Sequence, residues 1–307
     1  MSITNNQLIM RQSMPLNVKV LYTENRIRQW YKHYDGKVYV SFSGGKDSTV
    51  LLHIVRSIYP EVVAVFVDTG LEYPEIKEFV KTIDNVTWLK SKMPFNKVIE
   101  KYGYPVISKE VANIIYQIRN TKSEYLLNKR LNGLSIDKKG KSYACKTTGK
   151  IPIKWEYLVD APFKISSSCC NVMKKAPIKS YENKSKKTPF IGTMACESAM
   201  RTLIYYRNGC NAFDKKRPSS QPISFWKEED IWDYIKTNNL EYSKIYDMGY
   251  KRTGCMFCMF GVHLEKSDLF NKNRFQLMKD THPKQYNYCI NKLGCGKVMD
   301  YIGVDYT

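Results

Sequence analysis

The chain of 307 residues carries 49 Lys and Arg against 29 Asp and Glu, a net charge of +20, and is 43% hydrophobic. That is enough core for one large or two modest domains. No apolar run reaches the roughly 18 residues of a membrane span, and Met1-Ser2-Ile3-Thr4-Asn5-Asn6 lacks a signal-peptide pattern, so no membrane association and a cytoplasmic location are expected. The basic balance points to an anionic partner, nucleic acid first, beside the alternative of solvated surface lysines in a Lys-, Asn- and Ile-rich chain. Nine cysteines argue for metal or catalytic use rather than a disulfide framework.

In chain order, residues 16–34 read as an amphipathic helix with Val18, Leu21, Ile27, Trp30 and Tyr31 on its apolar side. Asp35-Gly36 is a turn. Strands at 38–42, 62–67 and 86–90 then alternate with helices at 48–58, 74–83, 95–102 and 109–119. Residues 121–161 break this rhythm. There Lys138, Lys139, Lys141, Lys146, Lys150 and Lys154 are interleaved with Tyr143 and Trp155, as in a single-stranded nucleic-acid groove or in a solvated insertion. A strand at 189–193 and helices at 198–206, 228–237, 268–280 and 283–293 follow. The expected fold class is α/β, a doubly wound, mostly parallel sheet. The expected division is an N-terminal helical segment (1–36), an α/β domain (37–265) with a basic insertion (121–161), and a helical tail (266–307).

The first strand, Val38-Tyr39-Val40-Ser41-Phe42, runs into Ser43-Gly44-Gly45-Lys46-Asp47-Ser48-Thr49 and then a helix. Strand, glycine turn and helix start present backbone N–H groups and a positive helix end to an anion. Gly44 and Gly45 allow close approach and φ > 0; Ser43, Ser48 and Thr49 add hydroxyls and Lys46 a cation. A Walker A pattern is absent. The loop resembles the PP-loop of N-type ATP pyrophosphatases and phosphoadenylyl-sulfate (PAPS) reductases. The match continues at Asp68-Thr69-Gly70, which should face the nucleotide at the carboxyl end of the next parallel strand. It implies an adenine nucleotide alpha hydrolase-like fold that holds ATP or an adenylyl sulfate, with Asp68 binding Mg²⁺ or the nucleotide.

Cys169-Cys170-Asn171-Val172-Met173-Lys174-Lys175-Ala176-Pro177 resembles the CC-x-x-x-K-x-x-P segment of the iron–sulfur adenylyl-sulfate reductases. In that family a CxxC follows roughly eighty residues later, as Cys255-Met256-Phe257-Cys258 does here. Four thiolates from two segments suit a [4Fe–4S] cluster; a Cys₄ zinc is the rival, and the adjacent pair is an awkward bite for it. Gly192, Glu197, Ser198 and Arg201 match the family's substrate-binding G-x-R-x-x-E-S-x-x-R stretch, with Met194 in place of its arginine. Reductases of this family attack sulfate with a cysteine on a Glu-Cys-Gly-x-His tail. Cys295-Gly296 echoes that tail without its Glu and His, and a packed cysteine is the favoured reading of both Cys289 and Cys295.

The leading expectation is an enzyme of sulfur transfer to DNA or tRNA, acting through adenylylation with pyrophosphate release. It is similar to the iron–sulfur PP-loop sulfurtransferases of DNA phosphorothioation, with Lys46, Asp47 and Asp68 at the reacting phosphate and a separate protein as sulfur or electron donor. The alternatives are a sulfonucleotide reductase with Cys295 as nucleophile and a nucleotide-sensing, nucleic-acid-binding partner subunit. Oligomeric state is not legible.

Overall fold

The computed structural model describes residues 3–136, 142–144, 149–265 and 271–307. These form two compact units, each assembled from separate stretches: 1–68, 72–90 and 177–246 in the first, and 69–71, 91–176 and 247–307 in the second. The contiguous division expected at residues 37 and 266 differs from this, because the chain leaves the first unit after its third strand and returns 86 residues later.

The first unit is built on a six-stranded sheet. Its strands are β1 (Val38–Ser41), β2 (Ala64–Asp68), β3 (Val86–Lys90), β7 (Thr188–Ile191), β8 (Asn211–Ala212) and β9 (Ser219–Ser220), in the order β3-β2-β1-β7-β9-β8. All neighbours are parallel except β8 with β9. Helices α3 (Lys46–Ile58), α4 (Pro74–Lys81), α8 (Ala176–Ser185) and α9 (Ala199–Asn208) lead from or into the strands, α10 (Glu228–Thr237) follows the last of them, and α1 (Asn5–Gln12) and α2 (Leu16–His33) precede the first. Val38, Val40, Ala64, Val65, Phe66 and Phe190 are buried, the apolar character of strands covered on both faces. The expected doubly wound, mostly parallel α/β sheet is present. Its order reverses at β1, which has β2 on one side and β7 on the other. Crevices at the carboxyl ends of such a pair are where open α/β sheets bind ligands.

Helix α2 buries Ile27 and Trp30 of the expected apolar side but not Val18 or Leu21. Lys19, Thr23, Ile27 and Trp30 are its buried residues, whereas Val18 and Leu21 are 40% and 64% exposed. Lys19 reaches inward because both its hydrogen bonds go to Asp230, at 2.6 and 2.7 Å, and Trp30 stays inside.

The second unit contains α5 (Phe95–Tyr102), β4 (Val106–Ile107), α6 (Lys109–Asn120), α7 (Glu124–Leu131), a hairpin of β5 (Leu134–Ile136) with β6 (Ser142–Ala144), and β10 (Met259–Phe260). It ends in α11 (Arg274–Thr281), α12 (Pro283–Asn287) and α13 (Cys295–Tyr301). Strand β10 pairs parallel to β4. A 3-10 stretch, Ile153–Asp160, is clamped by Arg119. Its guanidinium donates to the carbonyls of Leu158, Val159, Ala161 and Phe163 at 2.6–2.8 Å. Lys138, Lys139, Lys141 and Lys146 of the basic insertion lie outside the described residues, as does the start of the helix expected at 268. No helix among the described residues is long and apolar enough to cross a membrane.

Candidate functional site

The glycine loop lies between β1 and α3 in the first unit. Gly44 adopts φ +72°, and a Cβ there would lie 2.7 Å from Val80 Cγ2 and 2.9 Å from Ile76 Cγ2. Only glycine meets both constraints. Gly45 caps α3, so the loop N–H groups surround a helix N-terminus. The hydroxyls knit the turn from within. Ser48 Oγ accepts from the Ser43 N–H at 3.2 Å, and Ser48 and Thr49 donate to the Gly45 carbonyl at 2.9 and 3.0 Å.

Lys46 is 5% exposed. Its ammonium sits 3.4 Å from Asp47 Oδ1 and 3.1 Å from Glu228 Oε1, with the rings of Tyr246 and Trp232 at 5.6 and 5.9 Å. Burial pushes the lysine pKa down, but Asp47, Tyr246 and Glu228 outweigh it and the net direction is up. Lys46 therefore stays cationic. Burial lifts the Asp47 pKa, and the ion pair between its Oδ1 and Lys46 pulls it down without cancelling that rise. The Lys46 N–H donates to the Tyr246 phenol at 2.9 Å.

Asp68 ends β2 and pairs with Lys77 of α4 at 3.0 Å. The next residues of that motif go with the second unit. Thr69 Oγ1 accepts from the Leu71 N–H at 3.2 Å, Gly70 adopts φ +77°, and the Leu71 carbonyl accepts from Met256 N–H inside the CxxC turn at 2.8 Å.

Beyond β7, Gly192 brings the backbone against the loop: a Cβ there would lie 3.0 Å from the Asp47 carbonyl oxygen. Glu197 accepts from the Met194 N–H at 2.8 Å and pairs with Arg201. Ser198 caps α9 through the Arg201 N–H. The Gly192 stretch thus adjoins the glycine loop, while Glu197 and Ser198 shape the turn at the start of α9, from which Arg201 extends.

In the second unit Cys169, Cys170, Cys255 and Cys258 line one cavity with Leu71, Phe95, Pro105 and Met173. The hydrogen bond from Cys169 is the main reason that the Cys170 pKa falls to about 5; burial opposes this, and Lys109 and Lys174 assist. The same contact drives Cys169 up, since one proton serves two neighbouring sulfurs. Burial raises Cys258. No three His, Cys, Asp or Glu side chains among the described residues converge on a single metal ion.

Cys295 is buried at 0% exposure, as is Cys289, and the two share a hydrogen bond that, after burial, raises the Cys289 pKa. A nucleophile that attacks a substrate sulfur must be exposed and deprotonated, and Cys295 has neither the exposure nor the neighbouring Glu and His for that role. Sequence reasoning missed Tyr246, Glu228, Trp232, Lys77 and Lys109. Each lies on another segment from the residue it contacts, with no motif to mark it.

A glycine loop at the reversal point of a parallel α/β sheet defines a nucleotide-binding class of fold. A family model of the phosphoadenosine phosphosulfate reductase domain matches residues 37–103 and 107–260, and the chain belongs to that family. It is 26% identical over 273 residues to an uncharacterized protein of Methanocaldococcus jannaschii, covering 87% of this chain and 51% of that protein. The chain thus spans about half the length of that relative. It is 25% identical over 240 residues to adenosine 5'-phosphosulfate reductase 2 of Bacillus subtilis, covering 78% of this chain and 79% of the relative. A solved phosphoadenylyl-sulfate reductase from Candida auris, a phosphate complex, aligns over 83% of this chain and 97% of its own at 14% identity, with a TM-score of 0.44.

Proposed function

We propose that the chain is a PP-loop enzyme of sulfur transfer that binds ATP or an adenylyl sulfate in its first unit, with nucleic acid as acceptor. The observation that carries the reading is the loop itself. A glycine at φ +72° with no room for a side chain is followed by a buried, cationic lysine at a helix N-terminus. Loop N–H groups and Lys46 would stabilise charge as it develops on departing pyrophosphate, the largest contribution a protein makes to such a transfer. Ser43, Ser48 and Thr49 hold the loop shape, Gly192 lets the neighbouring backbone close on it, and Arg201 adds a cation held by Glu197. A Mg²⁺ on Asp68 would compete with Lys77 for that carboxylate.

In the second unit Cys169, Cys170, Cys255 and Cys258 would hold a [4Fe–4S] cluster. The fit is one of donor chemistry: four thiols from two segments around one apolar cavity. A zinc needs four ligands meeting at one atom, whereas a cubane spreads them over several irons, which suits the adjacent Cys169 and Cys170 better. When bound, the cluster would supply electron transfer or an iron site for sulfur. Lys109 and Lys174 place positive charge beside Cys170 and would offset the anionic thiolates.

Pyrophosphate release from ATP by anaerobic, cluster-replete protein, with and without DNA or tRNA, tests this reading. Release that rises with one nucleic acid is expected. No release, with sulfite formed from an adenylyl sulfate in parallel, would overturn it in favour of a reductase. The Bacillus subtilis relative favours that second reading; the burial of Cys295 weighs against it. Nucleotide binding with neither product would instead favour a sensing subunit.

A further inference from the structure

The second unit carries a row of aromatic rings along its surface. Tyr157 and Tyr301 are 42% and 38% exposed, with centroids 5.7 Å apart. Trp155 continues the row 6.3 Å from Tyr157, and His263 stands edge-on to Trp155 at 5.3 Å. The Lys154 ammonium lies 5.2 Å from the Trp155 ring centroid, and Phe163 backs Tyr301 at 5.4 Å. The Arg119 clamp on the carbonyls of Leu158, Val159, Ala161 and Phe163 fixes the segment from which three of these rings project. Rings held this way lose little freedom when a ligand stacks on them.

The row runs into a basic cavity. Leu264, next to His263 and 76% exposed, lines a cavity of about 390 Å³ whose wall also carries Lys251, Arg252, Lys272, Arg274 and Glu265. Arg274 pairs with Glu265 and Lys272 with Asp280 at 2.5 Å. With those two pairs made, Arg252 is the lining cation that has no acidic partner among the described residues. Exposed rings that lead to a cavity lined by lysine and arginine match a polyanion with flat, unstacked faces. A duplex offers the charge but hides its bases; an ordinary acidic protein surface offers charge without rings to stack.

We infer that this surface binds single-stranded nucleic acid, with bases stacked on Trp155, Tyr157 and Tyr301 and the phosphate backbone led into the basic cavity beside Leu264. The choice of nucleic acid rests on the sulfur-transfer reading above; the surface and the single-stranded preference go beyond it.

The test is fluorescence anisotropy of labelled 12-nucleotide oligo-dT and oligo-U, and of a duplex of equal length, with the full chain and without ATP, across a salt series. Both single strands should bind more tightly than the duplex, and the better of the two identifies the sugar preferred. Tyr157→Ala should weaken single-strand binding about tenfold, as loss of one stacked base does, while Tyr157→Phe keeps the ring and the affinity. Arg252→Ala should lower the slope of log affinity against log salt by about 0.7, one single-strand phosphate. Unchanged melting temperatures show that the variants are folded. Duplex bound as well as single strand, equal affinity in Tyr157→Ala and wild type, or no single-strand binding would each overturn the proposal. Because ATP is absent, its failure leaves pyrophosphate release untouched, and a failure of pyrophosphate release leaves this binding result standing.

Discussion

The Lys46 ammonium rests 3.1 Å from the Glu228 carboxylate, although Glu228 stands at the start of α10, far along the chain from the loop. Lys46 is buried while Glu228 has 60% of its side chain exposed, so Glu228 is the partner that an incoming phosphate can displace. Glu228→Gln should tighten ATP binding by up to about fivefold, the range of a surface-exposed ion pair, in isothermal titration. Lys46→Ala should cut nucleotide turnover by about 100-fold or more and leave visible cluster absorbance intact. Turnover that persists in that variant removes the loop lysine from the mechanism.

Gly44 tests the loop shape independently of charge. Alanine there meets Val80 and Ile76 and demands a left-handed backbone. Gly44→Ala should cost about 1–3 kcal/mol of stability and abolish nucleotide binding. Denaturant unfolding and titration read the two effects separately.

The cysteine assignment is checked by removing one donor. Cys258→Ser in anaerobically prepared protein should lose most bound iron and the broad visible absorption, while Cys289→Ser and Cys295→Ser keep both. Iron counting decides it, and stoichiometric zinc in place of iron would reverse the choice of metal.

Lys19 and Asp230 form a buried pair, with side chains 3% and 13% exposed. Asp230→Ala strands the ammonium inside the first unit and should destabilise by about 3–5 kcal/mol. Replacing both partners, as Lys19→Met with Asp230→Leu, should recover most of that loss. Chemical denaturation of the three variants gives the coupling.

His53 of α3 meets the Tyr234 hydroxyl at 2.9 Å, and burial lowers its pKa below the ordinary 6.5. The unfolded chain then binds more protons at this site, so its contribution to stability is present above 6.5 and declines as pH falls below it. An imidazole NMR titration should place the folded pKa below 6.5. His53→Gln should flatten the stability loss between neutral and mildly acid pH.

Sequence order alone determined the glycine loop and the sheet that presents it. A glycine turn, its helix start and the preceding apolar strand are neighbours in the chain, and backbone geometry follows from local residue type. The cysteine pairs were legible for the same reason, since each pair sits within four positions. Tertiary structure decided what these groups face. Tyr246 and Glu228 at Lys46, Lys77 at Asp68, the inward turn of Lys19 and the burial of Cys295 all join segments remote in sequence. Contacts of this kind carry no spacing signal, because burial and ion pairing depend on which surfaces the fold brings together rather than on adjacency in the chain.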